Sequence, residues 1–375
     1  MSKSNETTPN VPTLRFKQFQ DNWSSKRLSD IAEVVGGGTP DTTDSTLWNG
    51  GIQWFTPTEV GHSKYVSMSA RTISQLGLQK SSAKILPAGS ILLSSRATVG
   101  ECSITQKDCT TNQGFQNLIP KKGINNEFLY YLAQTQKRHF IKYASGSTFL
   151  EISNSEIKKT KCAVPSIEEQ TEIATFLSAI DRKIEVQNKI ISDLKVLKKE
   201  LCRKILSSIT EYKTLGELCS ITTGKLDANV NNPNGLYPFF TCGKDTLSID
   251  NYAFDGEAIL IAGNGDIGHT KYYYGKFNAY QRTYVLMGFK ADAQFIKMGI
   301  DTYLPQKISE ETQGGAMPYI KLSTLTSLKI PFTSEEKQLS IRKHYDAIAQ
   351  KVENETKLLD LLLQQKFYFL NAMFI

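Results

Sequence analysis

Short apolar runs, punctuated by Gly, Asn, Thr and Pro, alternate with two long stretches that contain neither Gly nor Pro. The runs at Lys84–Ser94 (KILPAGSILLS), Phe115–Ile119 and Ala258–Ala262 have the length and flanks of β-strands. Each β-rich region ends in a short helix-like stretch and a turn, and a long helix follows. The first long helix starts after Pro165-Ser166. Ser166 serves as its N-cap, and Glu168 and Glu169 lie in the first turn, where the helix dipole favours anions. It runs to about Ser207. The second starts after Pro331, with Thr333 or Ser334 as N-cap and Glu335-Glu336 behind it, and runs to about Ala372.

The pattern occurs twice. Arg27–Gly37 (RLSDIAEVVGG) matches Thr214–Gly224 (TLGELCSITTG) in its apolar positions and closing Gly. Ile91-Leu92-Leu93 and Gly100 match Ile259-Leu260-Ile261 and Gly268, and Gln113 matches Gln281. Ile152 matches Ile320, and Glu168-Glu169-Gln170 matches Glu336-Lys337-Gln338. The offset is 187 at Arg27 and 168 from Ile91 onward, so the first half carries about 19 extra residues near Gly38–Lys84. A repeat this long is a duplicated domain, not a solenoid unit. The expected class is α+β: two duplicated β-rich domains separated by two long antiparallel coiled-coil helices, with pseudo-twofold symmetry. The boundaries are a loose polar tail at 1–12, a β-rich domain at 13–165, a helix at 166–208, a second β-rich domain at 209–332 and a second helix at 333–375.

Composition narrows the partners. The 375 residues carry 44 Lys+Arg against 37 Asp+Glu, a net charge of +7 that suits an anionic partner such as nucleic acid. The six Cys have no CxxC spacing, and none of the four His sits beside a Cys pair, so a zinc site is not expected. Scattered Cys fit a reducing cytoplasm. The start has no apolar core of a secretory signal, and no apolar run nears the roughly 18–20 residues that span a bilayer.

No catalytic constellation emerges. Gly263-Asn264-Gly265-Asp266-Ile267-Gly268 matches GxGxxG after a strand-like run, but HTKYYYGKF follows where the dinucleotide motif needs a helix, so a Gly-rich β-turn is expected. There is no P-loop, and the nearest string to an amino-methyltransferase motif is Asn232-Pro233-Asn234. Binding chemistry is better represented. Polar residues between the strands can read base edges: Gln bonds adenine bidentately and Arg does so for guanine. The candidates are Thr39, Gln53, Arg96, Asn112 and Gln113 in the first half, and Lys225, Lys244, Asn264, Lys271, Gln281 and Arg282 in the second. For each, the alternative is an ordinary polar loop residue. Lys271-Tyr272-Tyr273-Tyr274 fits a half-buried strand as well as a stacking surface.

The ordered motifs resemble the DNA-specificity subunit of type I restriction-modification systems. They begin with Trp23-x-x-x-Arg27-Leu28-x-Asp30-Ile31, Gly37-Gly38-Thr39-Pro40 and Ile52-x-Trp54-Phe55. Ser81-Ser82-Ala83, Leu86-Pro87-x-Gly89, Ser94-x-Arg96-x-x-x-Gly100 and Thr111-Asn112-Gln113-Gly114-Phe115 follow. Val164-Pro165-x-x-x-Glu169-Gln170-x-x-Ile173 closes the half, and the order is echoed 168 residues on. The second half has Tyr280-Gln281-Arg282 for Asn-Gln-Gly and lacks the Gly-Gly-Thr-Pro string. The resemblance implies two target recognition domains, each reading half of a split double-stranded DNA target in the major groove. It implies helices that hold the readers apart and dock two methyltransferase subunits, which carry S-adenosylmethionine and flip the target adenine. It also implies two ATP-dependent restriction subunits using ATP and magnesium, and a cytoplasmic chain that is itself non-catalytic. Two rival readings are a fused methyltransferase and a tandem β-domain protein binding carbohydrate or protein.

The long helices carry matching seams. Three-and-four spacing gives Ile173, Leu177, Ile180, Ile184, Gln187, Ile191, Leu194, Lys198, Leu201 and Ile205. The second seam runs Ile341, Tyr345, Ile348, Val352, Glu355, Leu359, Leu362, Lys366, Phe369 and Met373. Matching polar positions across an antiparallel pair predicts that Gln187 faces Lys366, Lys198 faces Glu355 and Ile191 faces Leu362. At about 1.5 Å per residue the first seam spans roughly 48 Å, more than the approximately 34–36 Å turn of B-DNA.

Overall fold

The structure is a computed structural model that describes residues 11–146, 150–311 and 319–375; residues 1–10 of the expected tail lie outside it. The chain divides into two compact units, Met1–Val186 with Leu359–Ile375, and Gln187–Leu358.

The first unit opens with β1 (Ser24–Arg27), α1 (Leu28–Ile31) and β2 (Ala32–Gly36). Then come β3 (Trp48–Phe55), β4 (Tyr65–Val66), β5 (Arg71–Ile73) and α2 (Gln75–Gln79). β6 (Ile91–Leu93), β7 (Cys102–Thr105), β8 (Cys109–Thr111) and β9 (Gln116–Pro120) complete two sheets, ordered β2-β9-β6-β7-β4 and β5-β3-β8. Helices α3 (Asn126–Thr135), α4 (Lys137–Tyr143) and α5 (Asn154–Lys159) precede β10 (Lys161–Val164), which pairs antiparallel with β1. Asn125 caps α3 by accepting from Phe128 N–H at 3.0 Å. Its run FLYYLA is buried throughout. Ile91, Leu93, Phe128, Tyr131 and Leu177 share the main core. Phe374 joins that core, stacked on Phe128 at 5.3 Å with Trp23 edge-on at 6.4 Å. Fully burying a side chain of this size stabilises by about 1.5–3 kcal/mol, which anchors the end of the chain.

The second unit repeats the scheme with β11 (Tyr212–Thr214), α7 (Leu215–Leu218) and β12 (Ser220–Thr223). β13 (Tyr237–Phe240), β14 (Thr246–Ile249), β15 (Phe254–Ala262), β16 (Thr270–Ala279) and β17 (Thr283–Met287) form one sheet with β12, ordered β12-β17-β15-β16-β13-β14. Long β15 and β16 bend where Gly256 and Gly275 face each other, both at positive φ (124° and 132°). α8 (Ala293–Glu311), α9 (Leu322–Thr326) and β18 (Lys329–Pro331) follow, and β18 pairs with β11. The GxGxxG string is the loop between antiparallel β15 and β16, as expected of a β-turn. Where the sequence suggests one short helix-like stretch at the end of each β-rich region, the structure has, among the described residues, three helices, α3 to α5, in the first unit and two, α8 and α9, in the second.

The long helices are α6 (Ile167–Ser207) and α10 (Glu335–Ala372). Ser166 Oγ accepts from Glu169 N–H at 3.3 Å, capping α6. A buried Gln anchors each N-terminus in the same way. Gln170 accepts from Asn125 N–H at 2.9 Å and donates to the Pro165 carbonyl at 3.0 Å. Gln338 accepts from Asp292 N–H at 3.0 Å and donates to the Thr333 carbonyl at 2.7 Å.

Seam positions are the covered ones along both helices, and the helices run antiparallel within each unit. In the first, Phe176 meets Phe369 at 4.9 Å, and Lys366 pairs with Asp181 at 2.7 Å. In the second, Gln187 donates to the Glu355 carboxylate at 2.6 Å, and Lys198 lies over the Tyr345 ring at 4.5 Å. The register therefore differs from the expected one. Lys198 is opposite Tyr345, about three turns from Glu355, and Lys366 is paired with Asp181. Ile191 and Leu362 belong to different units. The physical reason is that a seam lysine does not need a seam acid. An aromatic face attracts the ammonium, and a flanking Asp reaches in.

Candidate nucleic-acid interface

In each unit, loops from distant parts of the chain converge through backbone hydrogen bonds, and the bonds repeat. Asn112 N–H donates to the Phe55 carbonyl at 3.0 Å, and Tyr280 N–H to that of Phe240 at 2.9 Å. Ser95 N–H donates to Gly114 at 2.9 Å, and Gly263 N–H to Arg282 at 3.0 Å. Ile152 N–H donates to Ser95, and Ile320 N–H to Gly263, both at 2.9 Å. Ser94 and Gly100 form the same turn as Ala262 and Gly268; both glycines are left-handed, with φ of 86° and 76°. Gly37 packs so tightly that a Cβ would meet the Asn112 carbonyl at 2.0 Å. Gly224 does the same against the Ala279 carbonyl, at 1.9 Å. The frame is one design used twice.

The side chains hung on the frame differ. In the first unit Arg96, Asn112 and Gln113 line one open cleft of about 250 Å³ with Pro57, Ala97 and Gly114. Asn112 Oδ1 accepts from Gly114 N–H at 2.8 Å, which shapes the loop and leaves the exposed Gln113 at its tip. Thr39 donates its hydroxyl hydrogen to Gln113 Oε1. Arg96 is exposed at an outlying turn, 3.8 Å from Glu151, and Ala97 beside it has φ of 62°. Four of the five candidates are thus together. Gln53 is not with them: its amide accepts from Ser69 N–H at 2.7 Å and donates to the Gly51 carbonyl at 3.3 Å, so it is engaged in holding its own strand.

In the second unit Gln281 N–H donates to the Leu226 carbonyl at 2.8 Å, drawing the Lys225 loop to the exposed Gln281-Arg282 turn. Asp266 N–H donates to Cys242 at 3.2 Å, bringing the Asn264 loop to the segment that carries exposed Lys244. Lys271 turns inward. Its ammonium donates to the Gly243 and Asp245 carbonyls at 3.3 and 3.2 Å, and burial lowers its pKa against the pull of Asp245 and Asp266. It supports the loop instead of projecting from it. The other five candidates share one loop cluster.

Two features escaped the sequence reading. One is a polar network in the first unit. The Lys64 ammonium donates to Glu127 at 3.0 Å, the Tyr131 hydroxyl at 3.1 Å and Ser178 at 2.6 Å. Tyr65 and Ser178 donate to the Glu127 carboxylate, and Tyr131 donates to Asp181 at 2.5 Å. The other is a pair of tryptophans in β3, whose indole N–H groups hold the Gly38–Asp41 loop. Trp54 donates to the Gly38 carbonyl and Trp48 to that of Asp41, both at 2.9 Å. Among the described residues there is no cluster of potential metal ligands, and no helix is long and apolar enough to cross a membrane.

The chain is similar to known proteins in sequence and in overall fold. A family model described as "Type I restriction modification DNA specificity domain" matches residues 20–196 and again 209–364. The chain is 38% identical over 195 residues to the type I restriction enzyme MjaIX specificity subunit of Methanocaldococcus jannaschii, covering 51% of this chain and 45% of that one. It is 38% identical over 156 residues to the EcoDI specificity subunit of Escherichia coli, covering 41% and 35%. The alignments thus span less than half the length of these two relatives. The crystal structure of the type I restriction-modification S subunit from M. genitalium has a like fold. Its TM-score is 0.59 at 19% identity, covering 97% of this chain and 99% of that one. With the specificity domain matched twice over most of its length, the chain belongs to the type I restriction modification DNA specificity family.

Proposed function

We propose that each unit reads one half of a bipartite double-stranded DNA target with its loop cluster. In this reading the long helices set the interval between half-sites and dock two methyltransferase subunits. The chemistry belongs to the partners: S-adenosylmethionine on the methyltransferases, and ATP with magnesium on two restriction subunits. This chain supplies recognition and no catalysis. The observation that supports the reading best is the doubled frame carrying different side chains: Asn112-Gln113-Gly114 on one copy and Tyr280-Gln281-Arg282 on the other. A shared scaffold with divergent polar tips is what two unlike half-sites require, because side chains on base edges carry the sequence information. The test is an exchange. Replacing residues 13–165 with another reader and sequencing the methylome of the expressing cells should alter one half of the methylated motif and leave the other half intact. A change in both halves, or in neither, refutes the proposal.

A further inference from the structure

A cation of the first unit outside the loop cluster, Arg71, is held against a pair of tryptophans. Arg71, on edge strand β5, has its guanidinium carbon 3.6 Å from the centre of the Trp48 ring and 5.7 Å from that of Trp54. The two indoles meet edge to face at 5.0 Å. A bulge builds this stack. Asn49 at φ 61° and Gly51 at φ 87° break the register of β3, so that Trp48 and Ile52 both lie opposite Ile73. The extra turn brings the Trp48 ring onto Arg71, which is otherwise the cross-strand partner of Trp54.

The stack fixes an exposed arginine at low conformational cost. Its planar face is taken by Trp48, while its N–H edges make no hydrogen bond or ion pair with another described residue. The acids of the loop that Trp48 holds are bonded elsewhere. Asp41 accepts from Thr43 N–H and Oγ at 2.9 and 2.8 Å, and Asp44 from Thr46 N–H at 3.0 Å. The stack is also fastened to the loop cluster, since the Trp54 indole holds Gly38, the neighbour of Thr39, and Thr39 bonds Gln113. Across the sheet Arg71 lies level with Trp54 and Thr110, at about 4.8 Å per strand, two residues before Asn112. The segment lies within the extra length of the first half. Arg71 is thus a held cation at the margin of the cluster, not at its tip.

We infer that Arg71 grips a backbone phosphate of the DNA flanking the first half-site, so that the first reader clamps the duplex with a contact its twin lacks. The inference rests on the reading of these units as DNA readers. A guanidinium pressed flat against a wall suits the bidentate, sequence-blind hold on a phosphate, whereas a base reader must project into the groove.

The experiment uses the full chain, a random-sequence duplex and a duplex bearing the methylated motif of expressing cells, each titrated across salt. Arg71→Gln should lower the slope of log affinity against log salt by about 0.9, the amount one phosphate contact contributes. It should weaken both duplexes several-fold and equally. Arg71→Lys should restore the slope, and the thermal midpoint should stay unchanged. An unchanged slope with a lowered midpoint would make Arg71 only a cover for Trp48 and overturn the inference. A loss confined to one base pair of the motif would overturn it too, in favour of a guanine contact. The underlying reading fails separately, if the wild-type chain does not prefer its motif over the random duplex.

Discussion

The two β-rich units share a backbone and differ in what they display. Their loop frames make the same hydrogen bonds at Asn112 and Tyr280, at Ser95 and Gly263, and at Ile152 and Ile320. Their buried glutamines, Gln170 and Gln338, seat the long helices alike. Yet the first unit adds a three-stranded sheet with two tryptophans packed edge to face, while the second spreads one six-stranded sheet. The difference teaches that the frame is written in backbone amides and small residues, which tolerate no change. Reading is written in side chains that the frame merely points. Sequence similarity between the halves therefore survives at frame Gly and Ile, at Gln170 and Gln338 and at the tip Gln113 and Gln281, and fades at the tip's neighbours, Asn112 against Tyr280 and Gly114 against Arg282.

That division can be broken most severely at its tightest point. Gly37→Ala and Gly224→Ala each force a methyl to within 2.0 or 1.9 Å of a backbone carbonyl that cannot yield without opening the frame. Overpacking that shifts backbone costs about 1–3 kcal/mol and occasionally more, and these contacts lie at the severe end. Urea unfolding should show losses of similar size for both variants. A large loss at one glycine and none at the other would mean that the frames are alike only in outline.

The glutamines come next. Gln170→Ala strands the Asn125 N–H and a Pro165 carbonyl, and Gln338→Ala strands the Asp292 N–H and a Thr333 carbonyl. Leaving buried groups unpaired costs about 1–3 kcal/mol. Equal losses on calorimetric melting would confirm a common seat, while a loss under 0.5 kcal/mol at either, roughly the level of an ordinary surface change, would deny it. Comparable in size but different in kind are the tip variants. Gln113→Ala and Arg96→Ala should weaken recognition of the first half-site by about 1–3 kcal/mol with the melting midpoint unmoved. Gln281→Ala should do so for the second half-site alone. Equal losses on specific and random DNA would reassign these side chains to phosphate or scaffold.

How far the sequence could be read follows the same line. The duplication, the strand runs and the helices were legible because they depend on local pattern: a Gly at a turn, an N-cap Ser166, forty residues without Gly or Pro. The seam residues were legible too, since periodicity tells which face is covered. Their partners were not. A seam with mostly apolar layers closes in several registers, and the polar positions found solutions outside the seam, Lys366 at Asp181 and Lys198 on the Tyr345 ring. At the loop clusters, Arg96, Asn112 and Gln113 stood out as polar residues between strands, and the fold unites them. Gln53 and Lys271 are polar in the same way but are engaged by backbone groups, of Gly51 and Ser69 and of Gly243 and Asp245, which no spacing discloses. The tryptophan stack depends on a bulge at Asn49–Gly51, and only three-dimensional register reveals it.

The mildest expected effect tests a difference instead of a likeness. Glu127 and Tyr131 belong to the polar network of the first unit, and the repeat places Phe295 and Gly299 at those positions in the second. Burial pushes the Glu127 carboxyl up, but bonds from Ser178, Tyr65 and Lys64 outweigh it and hold the group below its ordinary 4.5. A carboxyl lowered in the folded state is charged and bonded above its unfolded pKa. Its contribution is therefore full above about pH 4.5 and is lost as pH falls through the lower folded value. Burial also lowers Lys64, whose ammonium stays paired with Glu127 across that window. The stability difference between wild type and Glu127→Gln should thus be constant from pH 8 to 5 and shrink towards pH 3. Amide exchange should place the acid-induced opening at α3 and β4, with β12 to β17 unaffected by the substitution. A difference independent of pH would show that Glu127 acts through packing alone, and the two units would then be alike in acid as they are in frame.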